Sequence, residues 1–117
     1  MADRRSSTLT VSSRSDGPAA IITPVGDVDL TASPILRQEI KKVQAGAPKR
    51  LIVDLGSVGY MDSSGLATLV EAMQLARKTG TRIVLCALTD RVRSIFEIAR
   101  LDSVFAIAGN LEEARTK

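Results

Sequence analysis

Two short unbroken apolar runs, Leu51-Ile52-Val53 and Ile83-Val84-Leu85-Cys86-Ala87-Leu88, constrain the fold of this chain more than any other feature. Runs too short for a helix and without polar alternation read as strands covered on both faces, the pattern of the middle of a sheet. Each leads into a segment with helical spacing of its apolar residues. Leu66, Leu69, Val70, Met73 and Leu75-Ala76 make one stripe, ended by Lys78-Thr79-Gly80 with a cation in the last turn and glycine at the cap. Val92, Ile95, Phe96 and Ala99 make another, opened by Thr89 or Asp90 as a cap. Strand-helix-strand units of this kind favour parallel neighbours and right-handed crossovers.

The remaining segments extend this centre on both sides. Thr8-Leu9-Thr10-Val11-Ser12 alternates as a half-exposed strand does, Asp16-Gly17-Pro18 supplies a turn, and Ala19 to Val25 completes a hairpin. Pro24 cannot donate to a ladder, so it implies a strand end, a bulge or an edge. Gly26-Asp27-Val28-Asp29-Leu30 is an acidic turn, expected at the end of the sheet where the next helix begins. Thr31 or Ser33 can cap that helix, Pro34 fits its first turn, and Gly46, with Pro48 behind it, stops it. Leu36, Ile40 and Val43 form its apolar stripe, which leaves Arg37, Lys41 and Lys42 on a solvated face. Val104 to Ile107 reads as a last short strand, and Asn110-Leu111-Glu112-Glu113 has the spacing of a capping box. The predicted architecture is α/β, one small mixed sheet in the order β-β-α-β-α-β-α-β-α.

With 117 residues and 44% hydrophobic content the chain supports one domain, residues 8–117, and the polar, serine-rich stretch 1–7 is expected to be a flexible tail. The absence of histidine removes the usual general base and the commonest transition-metal ligand together. A Ser-His-Asp hydrolase is thereby excluded, and neither a metal nor another cofactor is expected. There is no phosphate loop, nucleophile elbow or dinucleotide fingerprint, so the expectation is a protein without catalytic activity of its own. Cys86, the lone cysteine, reads as a small buried hydrophobe. The net charge is +3, but the 16 basic residues are diluted by 13 acids along the chain and aromatics are only 3%, which argues against direct nucleic-acid binding. No stretch approaches the ~20 apolar residues of a membrane helix and no signal peptide opens the chain, so a cytoplasmic protein without membrane contact is expected.

Chemistry concentrates at Tyr60-Met61-Asp62-Ser63-Ser64-Gly65-Leu66, between the Leu51–Leu55 strand with its Gly56-Ser57-Val58-Gly59 turn and the helix that follows. The first N–H groups of a helix have no partner within it, so a serine there serves either as a cap or as the holder of a phosphate.

At these residues the chain resembles the STAS domain family, and within it the small bacterial anti-sigma factor antagonists. Tyr60 to Leu66 matches the family signature, Leu51-Ile52-Val53-Asp54-Leu55 the strand before it, and Gly26-Asp27-Val28-Asp29 its upstream acidic turn; the likeness spans roughly residues 8 to 115. It implies a partner-switching cycle, in which the unphosphorylated antagonist binds an anti-sigma factor that is also a serine kinase, releasing a sigma factor. The kinase phosphorylates the first hydroxyl residue after the signature aspartate, here Ser63, and a serine phosphatase reverses the mark. Asp27, Asp29, Asp62, Ser63, Ser64 and Gly65 are the implied partner-binding residues. Bland roles stand beside these: a cap or first-turn hydroxyl for Ser64, a favourable place on the helix dipole for Asp62, capping or bracing the turn for Asp29, and close packing for Gly65. A phosphate on Ser63 is expected to sit favourably beside the helix N–H groups and to act on the partner surface rather than the fold. Two other functions fit less of the sequence. One is a STAS scaffold, sensor or lipid-transport accessory without a phosphorylation switch; the other is a two-component receiver with Asp54 as acceptor and Asp27 and Asp29 as metal ligands.

Overall fold

A computed structural model describes residues 9–117 of the chain. The elements in order are β1 (Thr10–Asp16), β2 (Ala19–Val25), α1 (Ser33–Gln44), β3 (Arg50–Asp54), α2 (Ser63–Thr79), β4 (Arg82–Cys86), α3 (Asp90–Ile98), β5 (Ala106–Ala108) and α4 (Leu111–Ala114). This is the predicted succession, and the expected tail at 1–7, with Thr8, lies outside the described residues. The five strands form one mixed sheet in sequential order, β1 antiparallel to β2 and the other neighbours parallel.

Alternation along the strands sorts the apolar residues into two cores. Ile22, Leu51, Val53, Ile83 and Leu85 face α1, α2 and α3, where they meet Leu36, Ile40, Leu69, Met73, Val92 and Phe96. Ile21, Ile52, Val84 and Cys86 face the other way, toward Ala108 and Ala114 of α4. All three crossover helices therefore share one face, as crossovers of a single hand produce when the strand order is sequential. Among the described residues no helix is long and apolar enough to cross a membrane.

Several boundaries differ from the sequence expectation. Neither Thr31 nor Ser33 caps α1; the Asp29 carboxylate accepts from Ala32 N–H at 2.9 Å, and the Asp29 carbonyl accepts from Ala32 and Ser33. Asp29 braces the turn ahead of the helix, its side chain three residues upstream reaching the N–H of Ala32, the N-cap residue. The left-handed residue after α1 is Ala47 (φ 48°) rather than Gly46, and β4 stops at Cys86 because Ala87 turns left-handed (φ 61°). The last strand begins at Ala106 because Val104 and Phe105 are drawn into a turn by hydrogen bonds to Leu101 carbonyl, where Phe105 meets Phe96 edge to face. Pro24 stays inside β2, beyond Ile22, the last residue of the parallel ladder with β3, so its missing N–H costs that ladder nothing. Gly80 (φ 75°), Thr89 and Asn110 cap their helices as expected.

Gly65 is where α2 is docked. A Cβ there would stand 2.5 Å from Met61 Cγ, 2.9 Å from Val28 Cγ1 and 3.0 Å from Val28 carbonyl oxygen. Both neighbours are fully buried, so the helix cannot retreat without opening the core. Gly65→Ala is expected to destabilise the domain by about 1–3 kcal/mol in a denaturant melt, as over-packed cores do. A second expectation concerns Cys86, whose thiol is pushed up to about 11 by burial and then by the Asp54 charge. Iodoacetamide at neutral pH should leave the folded protein unmodified and alkylate it once urea unfolds it, with mass spectrometry as the readout.

Candidate functional site

Because β2 to β5 run parallel, their C-terminal ends gather at one end of the sheet, and the two acidic turns meet there. Val28 and Met61 form an isolated parallel bridge. Val28 N–H donates to Tyr60 carbonyl at 3.0 Å, Asp62 N–H to Val28 carbonyl at 3.2 Å, and Gly26 N–H to Ser57 carbonyl at 3.0 Å. Apolar Val28 and Met61 drop into the core while their acidic neighbours stay at the surface. Thr89 Oγ1 ties the start of α3 to the same turn through Val58 carbonyl at 3.2 Å.

Asp62 is the N-cap of α2 and uses both carboxylate oxygens internally. Its Oδ1 accepts from Ser64 N–H at 2.9 Å, Ser64 Oγ at 2.6 Å and Gly65 N–H at 3.4 Å. Its Oδ2 accepts from Leu30 N–H at 3.1 Å, across to the other turn. Partial burial raises the pKa of this carboxyl, but the bonds from Ser64 hydroxyl and from Ser64, Gly65 and Leu30 N–H outweigh it and hold it below the ordinary 3.8.

The two serines differ sharply. Ser64 is half-buried and its hydroxyl is spent on Asp62. Ser63, the first residue of α2, is exposed, and neither its hydroxyl nor its N–H has a partner among the described residues. Asp27 is exposed and Asp29 half-buried. Gly65 lies buried beneath, so its place in the site is to let α2 approach. The expected favourable seat for a phosphate is narrower, because Asp62 already holds two of the helix N–H groups; the N–H of Ser63 itself and the helix dipole are what would remain for a phosphate on that residue.

Asp54 does not assemble with these acids as a receiver would require. Its Oδ1 accepts from Gly56 N–H at 3.0 Å, while Asp29 is occupied with Ala32 and Asp27 lies against Gly59. No group of three carboxylates suited to a metal forms among the described residues.

Sequence reasoning passed over Leu30 and Tyr60, large apolar side chains that are 75% and 38% exposed beside Asp62 and Ser63. The available signal was a leucine in an acidic turn and off the α1 stripe. Charge was also undervalued: the acids around Ser63 have no ion-pair partner among the described residues, while Lys41, Lys42, Arg77 and Lys78 occupy the last turns of helices that run back to the opposite end. The acids of the two turns thus come together here, with Arg91 and Arg93 at the start of α3 at the same end.

The lowered pKa makes Asp62 a source of stability that is present above the ordinary carboxylate value and is lost as pH falls below 3.8 through the folded-state value. Asp62→Asn keeps a capping oxygen and loses the charge, so it should be less stable than wild type by about 0.3–1 kcal/mol at pH 7, the worth of a carboxylate beside a helix N-terminus, and the difference should close as the pH is lowered below that value in parallel melts.

Comparison with known proteins agrees with this geometry. The STAS domain profile matches residues 10–114. An anti-sigma-B factor antagonist of Listeria monocytogenes is 33% identical over 82 residues, 70% of this chain and 72% of the relative. The crystal structure of an anti-sigma factor antagonist from Mycobacterium paratuberculosis superposes with a TM-score of 0.82 at 26% identity, covering 93% of this chain and 92% of that one. The Bacillus cell fate determinant SpoIIAA in its phosphorylated form shares the fold, with a TM-score of 0.69 at 21% identity over 92% of this chain and 96% of its own. With its matched signature, sequential mixed sheet and strand-turn-helix site, the chain belongs to the STAS domain family.

Proposed function

We propose that this STAS domain is an anti-sigma factor antagonist whose partner is an anti-sigma factor with serine kinase activity. In the unphosphorylated state it occupies that partner and a sigma factor is released. Transfer of the ATP γ-phosphoryl group to Ser63 Oγ, with loss of the hydroxyl proton and release of ADP, ends the complex; a serine phosphatase hydrolyses the ester and restores it. The domain acts by binding and contributes no catalysis.

The observation that carries this reading is the contrast between the two serines: Ser63 is exposed with an uncommitted hydroxyl, and Ser64 is locked to Asp62. An acceptor must be reached by a kinase, and only Ser63 meets that requirement without breaking the cap. The names of the relatives support the antagonist role, and a phosphorylated fold neighbour supports a switch by phosphorylation. Asp27 and Asp29 supply an acidic surface for the partner, and Asp62, Ser64 and Gly65 hold Ser63 and that surface in place.

The physics of the switch follows from Asp62. Phosphorylation adds about −1.5 to −2 charge one residue from an ionised carboxylate that cannot turn away without releasing four hydrogen-bond donors. In the free domain, water screens the pair. Against a close-fitting partner the dianion loses its water and meets a surface fitted to a neutral hydroxyl, and an interfacial penalty of about 3 kcal/mol lowers affinity over a hundredfold.

Incubation with candidate anti-sigma kinases and ATP, followed by mass spectrometry, should place the phosphate on Ser63 and none on Ser64. Ser63→Ala should bind that kinase with ATP present and stay bound, whereas Ser63→Glu should lose about a hundredfold in affinity by calorimetry. Phosphate on another residue, or full affinity for Ser63→Glu, would refute the assignment.

A further inference from the structure

We infer that Leu30 is the apolar anchor of the partner surface, inserted into an apolar pocket of the anti-sigma kinase whose rim carries arginine or lysine. This deepens the function proposed above and rests on it.

The side chain of Leu30 is 75% exposed although it lies next to the most ordered polar network of the domain. Burial of this leucine was available to the fold, since α1 begins three residues later and packs Leu36 and Ile40 into the core. Its backbone is fixed instead with the side chain outward: Leu30 N–H is held by Asp62 Oδ2 at 3.1 Å, and the preceding Asp29 is held by Ala32 and Ser33 N–H. An anchor held in advance loses little freedom when a partner closes on it. Tyr60, 38% exposed on the other turn, widens the apolar area, and Asp27 and Asp29 stand beside it without ion-pair partners among the described residues. An apolar centre with an acidic rim fits a pocket with a cationic rim, and it disfavours a nucleic acid or an anionic membrane.

Position ties this anchor to the switch. The bridge of Val28 with Met61 sets Asp29 beside Asp62, and one residue further along each chain stand Leu30 and Ser63. A pocket that closes around Leu30 excludes water from the Ser63 hydroxyl, which is the condition under which a phosphate there is costly. Leu30 thus contributes affinity in one state and sharpens its loss in the other.

Ile98 provides the control, because it is 83% exposed and lies at the far end of α3, away from Ser63. The kinase selected by its phosphorylation of Ser63 is titrated by calorimetry with wild type, Leu30→Ala, Leu30→Met and Ile98→Ala. Leu30→Ala should weaken binding by about tenfold or more without lowering the melting temperature, as loss of a buried aliphatic anchor does. Leu30→Met should stay near wild type, and Ile98→Ala should be silent. Binding of Leu30→Ala within twofold of wild type while Ser63 is still phosphorylated would overturn the anchor and leave the proposed function standing. If no kinase modifies Ser63, the function fails and the anchor with it. Concentration-dependent self-association of the isolated chain, abolished by both Leu30→Ala and Ile98→Ala, would assign the surface to a second copy instead and also overturn the inference.

Discussion

The Asp62 carboxylate joins two stretches of chain that are 32 residues apart, one oxygen on the first turn of α2 and the other on Leu30 N–H. Everything at this end of the domain depends on that division. The Val28–Met61 bridge brings the turns together, Gly65 lets α2 come close enough for the cap, and the carboxylate then fixes the distance between Leu30 and Ser63. A single ionised group therefore sets helix start, turn geometry and the outward direction of a serine. Its lowered pKa expresses this coupling, because the proton it refuses would cost several hydrogen bonds at once.

The same arrangement explains why the site is compact and chemically sparse. Four of its polar groups, Asp29, Asp54, Asp62 and Ser64, satisfy nearby N–H or O–H donors or acceptors, which keeps the loops at the strand ends from carrying orphaned backbone groups. What remains uncommitted is Ser63, Asp27 and the apolar side chains of Leu30 and Tyr60.

Much of the fold was legible because its signals are local. Leu51-Ile52-Val53 and the run from Ile83 are short and unbroken, so they could only be inner strands, and Gly80, Thr89 and Asn110 marked helix ends by their own chemistry. The misplacements came where a longer-range contact competed. No side chain caps α1, the Asp29 carboxylate bracing the turn at Ala32 N–H instead, and the packing of Phe105 on Phe96 delayed β5 by two residues. At the site, the identity of the acid and the two serines was readable from their order before an amphipathic helix. Their division of labour was not, since Ser63 and Ser64 are equal in sequence and differ only in which hydroxyl the Asp62 carboxylate reaches.

By itself the sequence determined the succession of elements, the parallel core, the absence of histidine chemistry and the signature that places the chain in the STAS domain family. These follow from spacing and residue type, which survive any arrangement in space. Tertiary structure alone decided that the two acidic turns are bridged, that Gly65 is a packing requirement, and that Leu30 is left exposed. Each of these depends on which strand ends a parallel sheet gathers and on hydrogen bonds between residues some thirty positions apart, and no local pattern encodes such pairings.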